Sequence, residues 1–128
     1  MRMRKKKNLV PRMERCAAYQ IKDPIVHKGH WRGLMPDARE LRVELGCGKG
    51  RFTAGTAAAE PDVMFVAVEM VPDAMVVAME RGAAEGLKNV WFIDANANIL
   101  PEFFAEGEVD RIYINFCDPW PSKRHAKR

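Results

Sequence analysis

The chain has 128 residues, 48% hydrophobic and 30% charged, with a mean hydropathy of -0.30; this describes one folded domain rather than a disordered chain, and no apolar run approaches the roughly 20 residues that cross a bilayer. The formal net charge of +4 is unevenly spread, because five of the 21 Lys and Arg lie in residues 1–7 and four in 123–128, leaving 12 bases against all 17 acids between them. Cys16, Cys47 and Cys117 are scattered and odd in number, so they form neither a disulfide framework nor a zinc site, and reduced, buried thiols in a cytoplasmic protein are the expectation.

The basic start, residues 1–7, has no apolar signal core behind it, so secretion is not expected. Two basic ends on an acidic body suit a polyanion such as RNA, the plain alternative being a solvated tail. Residues 11–21 read as a short helix with Met13, Ala17 and Ile21 on one side, and a loop holding His27-Lys28-Gly29-His30-Trp31 follows between Pro24 and Pro36. Regular alternation then begins. Residues 41–45 form a strand that runs into glycines at 46, 48 and 50, and a helix over 51–59 stops at Glu60-Pro61. Met64 to Val68 is nearly continuous and apolar, the pattern of a strand covered on both faces. Pro72 and Gly86 frame a second helix as its first residue and its C-terminal cap. A strand over 89–93, a short helix around 99–105 and a strand over 111–116 complete a β-α-β-α-β-α-β order, which implies a parallel sheet with helices on both faces.

The chemistry gathers at the strand ends. Glu44-Leu45-Gly46-Cys47-Gly48-Lys49-Gly50 joins the first strand to its helix, where Gly46 and Gly48 let the backbone turn sharply and a ligand lie against the main chain. A phosphate-binding loop would end in G-K-[ST], and a dinucleotide loop would read G-x-G-x-x-G; neither matches. The carboxylate of Glu44 suits a ligand that carries positive charge, as the ammonium and sulfonium of S-adenosylmethionine do, and would repel a pyrophosphate. The plain alternative is a strand-end acid paired with Arg42 or Lys49. Glu69 ends the second strand about twenty residues beyond the glycines, the place from which an acid takes ribose hydroxyls. Asp94 ends the third strand at the same edge and could accept from an adenine amino group, or else cap a helix. The fourth strand leads into Asn115-Phe116-Cys117-Asp118-Pro119-Trp120-Pro121, where two prolines stiffen the loop that holds Asp118. Trp120 could stack on a base or pack down.

Taken together, Glu44 to Gly50, Val68-Glu69, Asp94-Ala95 and the stretch 115–128 resemble the bacterial tRNA (guanine-N7-)-methyltransferase family. The D-P-W-P stretch followed by K-R-H-A-K-R is the specific part, whereas the glycine loop is shared widely among methyltransferases. The resemblance implies a Rossmann-like α/β sheet of the class I S-adenosylmethionine-dependent methyltransferases, S-adenosylmethionine as cofactor, tRNA as partner, and no metal or membrane. The activity implied is methyl transfer to N7 of a guanine in the tRNA variable loop. It implies cofactor contacts from Glu44, Glu69, Asp94 and Asp118, with Asp118 also the catalytic-site acid. The family usually places a lysine directly after D-P-W-P; here Ser122 stands there with Lys123 beside it, and Ser122, Lys123 and Arg124 are the candidate substrate contacts.

Such methyltransferases have about seven strands, of which four are countable here, so a sheet truncated after about four parallel strands is expected. Residues 1–40 read as basic tail, short helix and loop, and 41–128 as an incomplete cofactor-binding domain. The usual strand order would leave the apolar fourth strand on an open edge, which predicts poor solubility and little catalysis for the isolated piece. The rival readings are a non-catalytic RNA-binding remnant, a methyltransferase with another substrate, and a nicotinamide oxidoreductase.

Overall fold

A computed structural model of the chain describes residues 8–96, 98 and 100–115. Four parallel strands, β1 (Glu40–Leu45), β2 (Val63–Glu69), β3 (Val90–Asp94) and β4 (Arg111–Ile114), form one sheet in the order β3-β2-β1-β4. The chain therefore moves outward from β1 to β3 and then returns to the other side of β1 for β4. In open α/β sheets the usual ligand position lies beyond the carboxyl ends of the strands at such a reversal, here β1 and β4.

Side-chain alternation sends β2 into two cores. Phe65 and Ala67 face one layer, packed with α2 (Arg51–Ala59) and α3 (Pro72–Ala84), while Met64, Val66 and Val68 face Trp31 and Phe103 on the other. Covered on both faces, residues 63–68 are all buried, which accounts for the unbroken apolar run. The start of α3 has Pro72 at its first position and Asp73 in its first turn, where both suit a helix N-terminus. Its end has Gly86 at φ 66°, the left-handed turn that glycine adopts without steric cost.

The N-terminal segment differs from the expected helix over 11–21. Helix α1 (Leu9–Arg15) is shorter, a 3-10 turn covers Ala17–Tyr19, and Gln20 pairs in parallel with Phe92 at the outer side of β3. The Ile21 N–H donates to the Phe92 carbonyl at 2.8 Å. The helical pattern gives way because this leg satisfies an edge strand that would otherwise expose unpaired backbone. Arg12 of α1 forms an ion pair with Glu80 of α3, and the Tyr19 hydroxyl donates to the Leu87 carbonyl at 2.8 Å. Residues 8–40 are thus packed onto the sheet layers, with Trp31 fully buried among Leu41, Phe103 and Phe104.

On the opposite side β4 is the outer strand of those described, and Ile112 and Ile114 are 49% and 66% exposed. A short helix α4 (Leu100–Phe103) precedes it. Cys16 and Cys47 are buried free thiols, as expected; Cys117 lies outside the described residues. No helix among the described residues is long and apolar enough to cross a membrane, and no cluster of metal-ligating side chains occurs among them.

Candidate functional site

The loop between β1 and α2 turns on three glycines with positive φ, Gly46 at 76°, Gly48 at 56° and Gly50 at 83°. Their reasons differ. A side chain at Gly50 would place its Cβ 2.6 Å from the Ala78 Cβ and 2.8 Å from the Ala78 Cα, so this glycine lets α2 approach α3. At Gly48 nothing lies within 4 Å of the corresponding position. That space faces outward from the loop and leaves the main chain open to a ligand.

Glu69, the last residue of β2, grips this loop. Its Oε1 accepts from the Gly48 N–H at 2.7 Å and its Oε2 from the Val71 N–H at 3.2 Å. Asp94, the last residue of β3, is its direct register partner. Although Asp94 is exposed as a residue, desolvation of its carboxyl at the sheet rim, together with the charge of Glu69, raises its pKa above the ordinary aspartate value. It does not begin a helix, because Ala95 and Asn96 directly after it are not helical.

Glu44 occupies a different environment. It is 2% exposed and points to the α2 side of the sheet. Its Oε1 accepts the hydroxyl of Thr53 in α2, and its Oε2 accepts from the Asn115 Nδ2 at 3.1 Å. Burial raises its pKa; the two donors partly oppose this, and Glu69 adds to it. The alternative pairing with Arg42 is not adopted. Arg42 is also buried but bonds Glu40 at 2.6 Å and Glu60 at 2.7 Å, at the opposite end of β1. Burial alone would favour its neutral form, yet those two carboxylates hold it firmly protonated.

The fold therefore brings Glu44, Gly46, Gly48, Glu69 and Asp94 to one rim. None of the ion pairs among the described residues involves Glu44, Glu69 or Asp94. A rim of carboxylates without a cation of its own, beside open main chain, is fitted to a ligand that brings positive charge. Asp118, Ser122, Lys123 and Arg124 lie outside the described residues. Sequence reasoning missed Thr53 and the role of Asn115. Thr53 gave a faint signal as a polar residue on a helix whose neighbours are small and apolar; Asn115 stood within a noted motif but without a partner.

A family model described as "Putative methyltransferase" matches residues 38–128. A curated relative from Geobacillus kaustophilus, named tRNA (guanine-N(7)-)-methyltransferase, is 44% identical over all 128 residues and is itself covered to 59% of its length. Among solved structures, the antibiotic-resistance methyltransferase Kmr is 28% identical with a TM-score of 0.57, covering 73% of this chain and 49% of that one. TrmN from Thermus thermophilus is 26% identical with a TM-score of 0.56, covering 80% and 30% respectively. The chain spans less than two thirds of the length of each of these proteins. With the parallel sheet, the glycine loop and the acidic rim all present, and the family match running from before β1 through residue 128, this chain belongs to that methyltransferase family.

Proposed function

We propose that the chain carries the S-adenosylmethionine site of a cytoplasmic tRNA (guanine-N7-)-methyltransferase. The observation that carries this reading is the uncompensated acidic rim: Glu69 and Asp94 side by side at the ends of β2 and β3, with Glu44 buried beneath the glycine loop. The naming of the Geobacillus kaustophilus relative, aligned over the whole chain, supports the RNA substrate.

In this reading Glu69 takes the ribose hydroxyls and Asp94 the adenine amino group, while the Gly46–Gly48 main chain lies along the methionine portion. Each carboxylate oxygen of Glu69 already accepts one bond and keeps a second lone pair for a ligand. Bound there, S-adenosylmethionine supplies a methyl group on a positively charged sulfur. Guanine N7 has a free lone pair and no proton to lose, so the protein needs no strong base; its residues align the partners and compensate charge. Asp118 would hold the guanine edge, and Ser122, Lys123 and Arg124 would contact the RNA, Lys123 and Arg124 gripping its backbone.

Calorimetry of the full chain with S-adenosylmethionine and with NAD, followed by labelled-methyl transfer to tRNA, tests the reading. Selective binding of the first, weakened about 10-fold or more by Glu69→Ala, and loss of transfer when the target guanine is 7-deazaguanine, are the expected results. Equal affinity for NAD would remove the cofactor assignment. Salt-sensitive RNA binding with no response to the cofactor would instead favour an RNA-binding remnant.

A further inference from the structure

The Glu44 carboxyl has little access to solvent and forms no ion pair among the described residues. On the strands beside it stand Tyr113, its register partner on β4, and Arg42, two residues back on β1 and engaged by Glu40, Glu60 and the Tyr113 hydroxyl. Thr53 comes from α2 and is itself 1% exposed, Asn115 comes from the end of β4, Glu69 from the end of β2, and Cys47 from the loop after β1. None of these groups brings a positive charge into contact with the Glu44 carboxyl. Glu69 repels the Glu44 charge, and the Cys47 thiol is held protonated by its burial and by the charges of Glu44 and Glu69. Two neutral donors are therefore what favours the charged form of this carboxyl, against burial and the charge of Glu69. Their placement is informative. Thr53 lies in the first turn of α2, where a valine of the same shape would fill the space equally well, yet its hydroxyl is directed at a buried acceptor. Asn115 is 71 residues from Glu44 in sequence and immediately follows the last paired residue of β4.

We propose that Thr53 and Asn115 are positioning residues that fix the Glu44 carboxylate and favour its charged form, fastening α2 and the end of β4 to one side chain of β1. This deepens, and rests on, the reading of the rim as a site for a cation-bearing nucleoside. A purely space-filling Thr53 would leave the ionisation of Glu44 untouched; a positioning Thr53 would not. The bracket also registers the strand that leads towards Asp118, three residues beyond Asn115 in sequence.

The test uses the full chain as wild type, Thr53→Val, Thr53→Ser and, as a smaller replacement, Thr53→Ala. The ¹³C side-chain carboxyl signal of Glu44 is titrated in each, and S-adenosylmethionine affinity is measured at pH 6 and pH 8. Loss of the hydroxyl is expected to move the Glu44 midpoint up by about one pH unit. Affinity should fall more at pH 6 than at pH 8, and by no more than the roughly tenfold change in ionised fraction that one pH unit allows, with Thr53→Ser matching wild type on both counts. A midpoint unmoved in both the valine and alanine variants overturns the proposal, as does an equal loss of affinity at the two pH values. If the midpoint moves but wild type binds no S-adenosylmethionine, the cofactor reading fails while the bracket on Glu44 stands.

Discussion

Glu69 and Asp94 face each other as the last register pair of β2 and β3, two carboxylates carried side by side on one rim. Parallel pairing puts equivalent ends of neighbouring strands together, so two strand-end acids become neighbours even though 25 residues separate their numbers. Glu69 is tied down by the amides of Gly48 and Val71, and Asp94 bears the electrostatic consequence.

Removing the Glu69 charge should release Asp94. Asp94 has a folded-state pKa above its unfolded value, so the folded state holds the extra proton, and stability falls as pH rises from about 3.8 through the folded pKa. In Glu69→Gln the Asp94 midpoint should drop and this pH-dependent loss should shrink; in Asp94→Asn it should vanish. Carboxyl NMR titration and urea unfolding between pH 3.5 and pH 7 provide the check. An Asp94 midpoint that ignores Glu69 would contradict the pairing.

The glycines should separate by mechanism. Gly50→Ala meets both a left-handed backbone and the Ala78 backbone at 2.8 Å, and should lose about 3 kcal/mol. Gly48→Ala meets only the backbone penalty and should lose about 1 kcal/mol. Its larger effect should fall on cofactor affinity, because the added methyl group occupies the open side of the loop. Denaturant unfolding beside calorimetric binding distinguishes the two; equal destabilisation would show that the contact with Ala78 is relieved by movement of α3.

Trp31 anchors the N-terminal segment to the second core. It is fully buried, its Nε1 donates to the Phe103 carbonyl at 2.7 Å, and its ring stacks on Phe104 at 4.9 Å. Trp31→Ala should cost about 3–5 kcal/mol. Trp31→Phe keeps most of the packing and loses the hydrogen bond, for about 1–3 kcal/mol. Thermal unfolding of both variants measures the difference, and a negligible effect in the alanine variant would mean that residues 8–40 are not part of the cooperative unit.

Asn89 is a purely structural clamp by the same geometry. Its buried amide donates to the carbonyls of Ala57, Glu60 and Val63, joining the end of α2 to the start of β2. Asn89→Ala leaves those acceptors short of a donor and should cost about 2 kcal/mol with S-adenosylmethionine affinity nearly unchanged below the melting range. A selective loss of affinity in the stable variant would place Asn89 in the site instead.

The strand–helix alternation, the bounds of α2 at Arg51–Ala59, the caps of α3 and the candidate acids Glu44, Glu69 and Asp94 are legible along the chain. These are local features: a period of two or of 3.6, a proline or glycine at a terminus, an acid at a fixed offset from glycines. Packing of the folded chain settles that Arg42 turns to Glu40 and Glu60 rather than to Glu44, that Gln20 runs beside Phe92, and that Glu44 rests between Thr53 and Asn115. Most of these partners are many residues apart and meet only after the strands have taken their order. Which donor answers a buried charge depends on what the packed neighbours bring to it, and no pattern along the chain records that.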